Sequence, residues 1–218
     1  MNDIRGALCG CAMTLLAGAI MGCSIGPKMT EQPASYDLGP PRHHAAANPG
    51  INATLFLPEV GAPPWLSGNG IVYRLNYENA ARPRSYTLSR WTAPPSALLT
   101  QRLRSRFAAA AASGIVTGAD GVRADFQLSV ELEDFSQFFD APGSSRVAVR
   151  ARASLVSLAN RTLIAQREFA AEQAAASPDA AGAVQALSAA SEELVESLLK
   201  WTEERLGSAK SRQGPLTQ

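Results

Sequence analysis

The clearest pattern along the chain is an alternation of apolar and polar residues in two neighbouring runs. Residues 126–133 alternate, and residues 146–155 repeat the pattern after an Asp-Ala-Pro-Gly sequence at 140–143. A period of two is typical of strands with one dry and one wet face. The two runs therefore predict a long antiparallel hairpin, with Phe139 paired to Ser144 next to the turn.

This pairing fixes the predicted register of the hairpin. It places Leu128 opposite Leu155 and Leu132 opposite Ala151 on the dry face. A bulge near Phe135 remains compatible with the alternation. On the wet face the opposed charges are Glu131 with Arg152 and Glu133 with Arg150. Two interpretations of this charged row stay open, cross-strand ion pairs on a solvated face or a recognition stripe for a partner.

Two other segments repeat apolar residues every three to four positions, which predicts amphipathic helices. The first begins after Thr92 at Pro94-Pro95 and ends at Ser113-Gly114. The second begins at Ser177-Pro178-Asp179 and runs to about Leu206. Their apolar stripes include Leu99, Leu103 and Phe107 in the first helix, and Leu187, Leu194, Leu198 and Trp201 in the second. The second stripe fits packing on the sheet or a coiled-coil seam.

Charged residues of both segments are assigned to their solvated faces. In the first helix these are Arg102, Arg104 and Arg106, and in the second they include Glu192 and Glu196. Additional strands are predicted at residues 54–57, 71–77, 85–91 and 162–170. The order is therefore β, β, β, α, β, β, β, α. It predicts an α+β fold in which two amphipathic helices pack on one face of a mostly antiparallel sheet.

The N-terminal residues carry the marks of a secretory signal. Arg5 precedes an apolar run, Ala7–Ile20, that is shorter than the about 18 to 20 residues needed to cross a bilayer. The sequence Ile20-Met21-Gly22-Cys23 resembles the lipobox of bacterial lipoproteins. This resemblance implies cleavage after Gly22, a diacylglycerol on Cys23 and, because Ser24 follows, sorting to the outer membrane. An ordinary cleaved signal or short anchor with an incidental Cys23 is the alternative.

Composition divides the chain into four predicted parts. Residues 1–22 form the signal peptide, and residues 23–50 form a flexible tether in which five prolines recur. Residues 51–206 form the folded domain, and residues 207–218 form a disordered tail. Within the tether, Tyr36-Asp37-Leu38 is expected to pair at a sheet edge.

Charge and cysteine usage narrow the function classes. Lys and Arg number 20 against 19 Asp and Glu, so no basic excess indicates a nucleic-acid partner. All three cysteines precede residue 24, and the only histidines, His43 and His44, lie in the predicted tether. The domain therefore lacks Ser-His and Cys-His nucleophiles. Neither a metal site nor a cofactor site is predicted, and the two histidines are assigned to a solvated linker.

One carboxylate pair is the remaining catalytic candidate. Glu131 and Glu133 could act together as the acid and base of a glycosidase. Their predicted arginine partners favour the ionised form of both side chains, which suits structure better than acid catalysis. We therefore expect a protein that is not an enzyme.

Several short motifs, taken in order, resemble one known family. They are Tyr36–Pro40, Leu55–Pro58 followed by Pro64–Leu66, Ile71–Arg74, Arg90-Trp91, and Phe169 before an Ala-rich helix that reaches Trp201. In order and spacing this series is similar to the ABC-type transport auxiliary lipoproteins over about residues 36 to 205.

The resemblance implies a non-enzymatic partner of a transporter that contains MCE-domain proteins. Such systems move lipids or other hydrophobic molecules between the inner and outer membranes. The protein would be lipid-anchored to the outer membrane, facing the periplasm, and would dock to the periplasmic component of the transporter. The alternative is an assembly or interaction module for another outer-membrane or cell-wall complex.

Four residues at predicted strand ends are candidates for the docking surface: Trp65, Tyr73, Arg90 and Trp91. Aromatic and arginine side chains at exposed positions are frequent in interfaces. Packing of the same four residues in the core or at a sheet edge is the alternative, and it is the preferred interpretation.

Overall fold

The computed structural model describes residues 32–41 and 50–212. The predicted signal 1–22, Cys23, His43, His44 and the last residues of the predicted tail lie outside the described residues. The strands are β1 (Ala34–Tyr36), β2 (Leu55–Phe56), β3 (Gly70–Leu75), β4 (Arg84–Trp91), β5 (Ile115–Val116), β6 (Phe126–Ala141), β7 (Ser144–Ser157) and β8 (Thr162–Ala174). The helices are α1 (Asn76–Asn79), α2 (Pro95–Ala110) and α3 (Ala180–Arg212), and a 3-10 turn covers Pro64–Leu66.

The predicted hairpin is formed by β6 and β7, and its register is confirmed between Phe126 and Leu132. Leu128 faces Leu155, and Glu131 faces Arg152. Beyond Leu132 the pairing shifts by one residue. The shift lies where the alternation of the sequence is broken by two consecutive acidic residues.

This irregularity overturns one predicted ion pair. Asp134, rather than Glu133, lies opposite Arg150. The Glu133 carboxylate instead lies 3.3 Å from the Arg152 guanidinium. An extra residue in one strand inverts the parity of the residues after it, and here it returns Phe135 to the dry face. Phe135 is accordingly buried.

The long strands form an antiparallel unit, because β7 pairs with β6 on one side and with β8 on the other. The opposite edge of β6 pairs in parallel with β3 and β2. β4 lies antiparallel to β3 and carries β1 in parallel at its outer edge. The α+β class is confirmed. The parallel pairings join segments distant in sequence, and the periodicity of one segment contains no information about such partners.

Helices α2 and α3 bury their apolar stripes against the sheet. Leu99, Leu103 and Phe107 of α2 are buried, as are Leu187 and Leu198 of α3. In the row Leu132, Ala151 and Phe169, each residue is the register partner of the next, and Phe169 meets Trp201 of α3 with 5.6 Å between ring centroids. The stripe of α3 is therefore covered by the sheet of its own chain.

Both ends of the folded unit differ from the prediction. The compact unit begins at Pro33, inside the predicted tether. Tyr36 pairs with Trp91 as part of β1, which confirms the edge pairing predicted for this segment. At the other end α3 continues through Gly207 to Arg212, beyond the predicted stop near Leu206. β1 therefore lies among the residues that the recurring prolines assign to the tether, and α3 extends into the residues assigned to the tail.

No helix among the described residues is both long enough and apolar enough to cross a membrane.

Candidate functional site

Residues Ala34–Pro41, here called the strap, form the first segment of the compact unit that begins at Pro33. The strap begins as β1 beside β4, and the Thr92 amide donates to the Tyr36 carbonyl at 2.7 Å. Leu38 follows and is only 4% exposed. A buried leucine and a paired strand give this proline-rich segment a fixed position on the domain.

One arginine of α2 holds the strap through its main chain. Nη2 of Arg102 donates to the carbonyl of Leu38 at 2.6 Å and to that of Gly39 at 2.8 Å. Nη1 lies 3.3 Å from the Pro40 carbonyl and also donates to the Glu192 carboxylate of α3. Because guanidinium presents several donors in a rigid fork, one side chain satisfies three successive carbonyls and one carboxylate.

The pair formed by Arg102 and Glu192 is buried, with the two residues 6% and 7% exposed. This corrects the sequence-based assignment of both residues to solvated faces. A second pair lies one helical turn further along both helices, where Arg106 Nη2 lies 3.0 Å from Glu196 Oε2. The two ion pairs join α2 to α3, and the buried pair also fixes the strap.

Sequence reasoning overlooked this cluster although a signal was present. Arg102 lies three residues after Leu99 and directly before Leu103, and both leucines are buried. Positions three and four apart share one helix face, so Arg102 borders the apolar stripe. A charge at that position is expected to be buried only where a partner is available. That partner, Glu192, is 90 residues away in the sequence.

Trp91, one of the four candidate docking residues, belongs to the core. It is 1% exposed, and its ring packs edge-on against Phe135 with centroids 5.6 Å apart. Of the two interpretations weighed for this residue, packing in the core is therefore the one that applies. The reason is that the indole lies on the face of β4 that the helices cover.

Tyr73 is half-buried within an internal group of aromatic rings. The centroid of its ring lies 4.8 Å from that of Tyr86 and 5.9 Å from that of Phe139. The Tyr86 hydroxyl donates to Gln137 Oε1 at 2.7 Å. Burial, with a smaller contribution from Tyr73, raises the pKa of Tyr86 to about 12. These contacts indicate that Tyr73 packs at one end of the sheet, with only part of the ring accessible.

Trp65 and Arg90 are accessible, but they lie in different surroundings. Trp65 is 40% exposed, and the guanidinium carbon of Arg74 lies 5.0 Å from its ring centroid. Arg90 is exposed at the edge of the sheet, where its Nε lies 3.4 Å from Ser35 Oγ in the strap. The four candidates therefore occupy four separate environments and do not form one surface.

The outer face of the sheet, opposite α2 and α3, carries a row of aromatic and arginine side chains. Arg74, Phe138 and Arg146 are register partners across β3, β6 and β7. The Arg146 guanidinium carbon lies 5.2 Å from the Phe138 ring centroid. With Trp65 beside Arg74, aromatic and cationic groups alternate along this row.

The remaining charges of this outer face are largely paired. Glu172 of β8 contacts Arg146 at 3.0 Å and Arg150 at 3.3 Å. Arg152 pairs with Glu133, as described above. Such exposed pairs contribute little stability individually. Of the two interpretations of the charged row, cross-strand ion pairs on a solvated face therefore account for it. The row does not consist of unpaired charges that could serve as a recognition stripe for a partner.

Among the described residues, no three His, Cys, Asp or Glu side chains converge in a way that could hold a metal ion.

A family model described as "ABC-type transport auxiliary lipoprotein component" matches residues 36–198. This span begins within the strap and ends in α3. It includes Arg102 and Glu192.

Two solved structures have a similar fold. Protein XCC0632 from Xanthomonas campestris, assigned to family DUF330, shares 16% identity, with a TM-score of 0.66 over 83% of this chain and 97% of that chain. The other is described only as an uncharacterized protein, with 19% identity and a TM-score of 0.60 over 79% of this chain and 99% of that chain. No curated protein matches the sequence. At this level of identity the similarity shows the fold alone.

Proposed function

The chain belongs to the family of ABC-type transport auxiliary lipoprotein components, and from this premise we propose that it holds the periplasmic component of a transporter at the outer membrane. The family match over residues 36–198 is the observation that carries the proposal. In this proposal the partner contains MCE domains. The cargo is a lipid or another hydrophobic molecule moved between the two membranes.

The membrane attachment is proposed to be a diacylglycerol on Cys23. From Cys23 to Pro33, where the compact unit begins, the chain advances ten residues. Ten residues span at most about 35 Å when fully extended. The strap thus limits the reach of the anchor to less than the predicted 23–50 tether would allow, and this supports a domain held near the bilayer.

A non-catalytic role fits the side chains of the folded unit. The Glu133 carboxylate lies 3.3 Å from the guanidinium of Arg152, and the Glu192 carboxylate is paired with Arg102. Both side chains therefore take part in ion pairs of the fold. The family is itself described as an auxiliary component of transport, and this points in the same direction.

Of the four candidate docking residues, Trp65, Tyr73 and Arg90 remain in the proposal. Trp65 is 40% exposed, and it belongs to the aromatic and arginine row of the outer face. Tryptophan and arginine are enriched among residues that dominate binding energy in protein interfaces. Arg90 lies beside the strap, and Tyr73 offers only part of its ring.

Affinity purification of the intact protein from membranes tests the proposal. Mass spectrometry should identify an MCE-domain component of an ABC transporter among the co-purified proteins. A Cys23→Ala variant should recover much less of it, because the protein would no longer be concentrated at the membrane. Recovery of an unrelated outer-membrane or cell-wall assembly in place of the transporter would support the alternative function and contradict this one.

A further inference from the structure

A groove of about 590 Å³ lies between the strap and α3. One wall consists of the strap residues from Ser35 to Gly39 together with Thr92, and the opposite wall is the first part of α3. The α3 side consists of Val184, Gln185, Ser188 and Ala189. The volume of the groove lies within the range of roughly 300 to 1,000 Å³ that is typical of sites that bind small ligands. Five residues of extended chain cover about 16 Å, so a short extended segment fits its length.

Some main-chain groups of the strap have no hydrogen-bond partner among the described residues. The Tyr36 carbonyl accepts from Thr92, so the main-chain groups of Tyr36 point toward β4. Because successive residues of a strand direct these groups to opposite sides, those of Ser35 point away from β4. None of the described residues pairs with the amide or the carbonyl of Ser35. An added antiparallel strand uses this combination, the amide and the carbonyl of one residue.

We propose that this groove binds an extended segment of the transporter's periplasmic component as an additional strand beside β1. This inference rests on the proposed function and specifies the recognition site. Asp37 is the one ionised side chain among the lining residues, and Val184 and Ala189 are small and apolar. The bound segment is therefore uncharged or basic, with small side chains facing α3.

A second edge of the sheet, that of β8, is less suited to strand addition. It is longer, and among the described strands only β7 pairs with it. However, Arg167, Glu168 and Glu172 are distributed along it. Charged side chains are the usual protection of an edge strand against pairing with another chain. The strap edge is short, and it contains no lysine or arginine.

Two pairs of matched variants test the proposal in the intact lipoprotein. Ser35→Pro removes an amide on the groove side and leaves the β4-facing groups of Ala34 and Tyr36 in place. Its control, Ser35→Ala, keeps the amide. Ala189→Phe fills the groove, whereas Ala189→Ser preserves its volume. A photo-crosslinking residue at Gln185 then maps the occupant, and the same residue at Gln166 on β8 serves as the control position.

Binding is measured with the transporter component that co-purifies with the wild-type protein. The Pro and Phe variants should bind it at least about tenfold more weakly, and the Ala and Ser variants within about twofold of wild type. Crosslinks should form from Gln185 to one extended segment of that component and not from Gln166. If Ser35→Pro also lowers the melting temperature, its weaker binding could come from damage to the fold. The groove assignment is then decided by the binding of Ala189→Phe and by the crosslinks.

Equal binding by all four variants would overturn the groove assignment and leave the proposed function intact. Crosslinks from Gln185 to a second copy of this chain, or to residues 42–49 of the same chain, would overturn it as well. If the wild-type protein recovers no transporter component, the proposed function fails, and the groove assignment fails with it.

Discussion

Replacement of Arg102 by Met tests whether the buried ion pair holds the strap to the domain. The substitution removes the donors to the Leu38, Gly39 and Pro40 carbonyls and leaves the Glu192 carboxylate buried without its cation. Removing one partner of a buried pair costs about 3 to 5 kcal/mol, because the other charge is left uncompensated. That cost is a large part of the roughly 5 to 15 kcal/mol by which domains of this kind are stable.

The assay is equilibrium unfolding in urea of the chain without its signal, and the chain offers a matched control. Arg106 forms the equivalent pair with Glu196 one turn away, but its side chain is 21% exposed and that of Glu196 is 37% exposed. Arg106→Met should therefore cost only about 1 kcal/mol. The double variant Arg102→Met with Glu192→Met should recover part of the lost stability, because no buried charge then remains.

Limited proteolysis reports on the strap itself. In the Arg102→Met protein, cleavage near Tyr36 should become faster than in wild type or in Arg106→Met, since the released main chain is accessible to the protease. The reasoning is refuted if Arg102→Met and Arg106→Met destabilise the protein equally. Unchanged protection of the strap in Arg102→Met would also refute it.

Three further predictions concern the anchor, the core and the start of α3. Cys23→Ala should move the mature protein from the membrane pellet to the soluble fraction on cell fractionation; an unchanged pellet would argue against lipidation. Leu198→Asp places a carboxylate in the core and should lower the free energy of unfolding by several kcal/mol. Thermal unfolding followed by circular dichroism should then show no cooperative transition or a much lower melting temperature, and a melting curve like that of wild type would contradict the prediction. Asp179→Ala should lower the melting temperature near neutral pH, because Asp179 accepts the Gly182 amide at 2.8 Å, and Asp179→Asn should retain most of that contact. The hydrogen bond from the Gly182 amide lowers the pKa of Asp179 in the folded protein. The contribution of Asp179 to stability is therefore fully present above the ordinary carboxyl pKa, and it is lost as the pH falls through the lowered pKa of the folded state. The difference between Asp179→Ala and wild type should accordingly narrow on acidification, and a difference that widens would contradict this assignment.

Local pattern in the sequence was sufficient for the parts of the fold that depend on neighbouring residues. The alternation over residues 126–133 and 146–155 predicted the β6–β7 hairpin, and its register holds from Phe126 to Leu132. Helix α2 and the start of α3 follow from proline, capping and apolar periodicity. These features are encoded within one segment or between two adjacent ones.

The features that the sequence did not predict depend on long-range contacts. Arg102 and Glu192 are buried because two helices and the strap meet, and neither helix alone indicates this. β1 is ordered because β4 provides an edge for it, although its composition is typical of a linker. Trp91 could be assigned to the core only once the face of β4 was known.

The candidate docking surface was the least predictable part. Trp65, Tyr73, Arg90 and Trp91 were grouped by residue type and by position at strand ends. The fold instead distributes them over the outer face, an internal aromatic group, the strap edge and the core. Residue type indicates that a side chain can contribute to an interface, whereas exposure and neighbours decide whether it is available.

Recruitment of the transporter component to vesicles tests the central claim most directly. The purified lipidated protein is incorporated into phospholipid vesicles, the purified periplasmic component is added, and flotation through a density gradient separates bound from free protein. We predict that the component floats with vesicles that carry the lipidated protein and stays at the bottom when the Cys23→Ala protein is used. If the component floats equally with the lipidated protein and with the Cys23→Ala protein, or floats with neither, the result contradicts the claim that a lipid-anchored protein recruits the transporter component to the membrane.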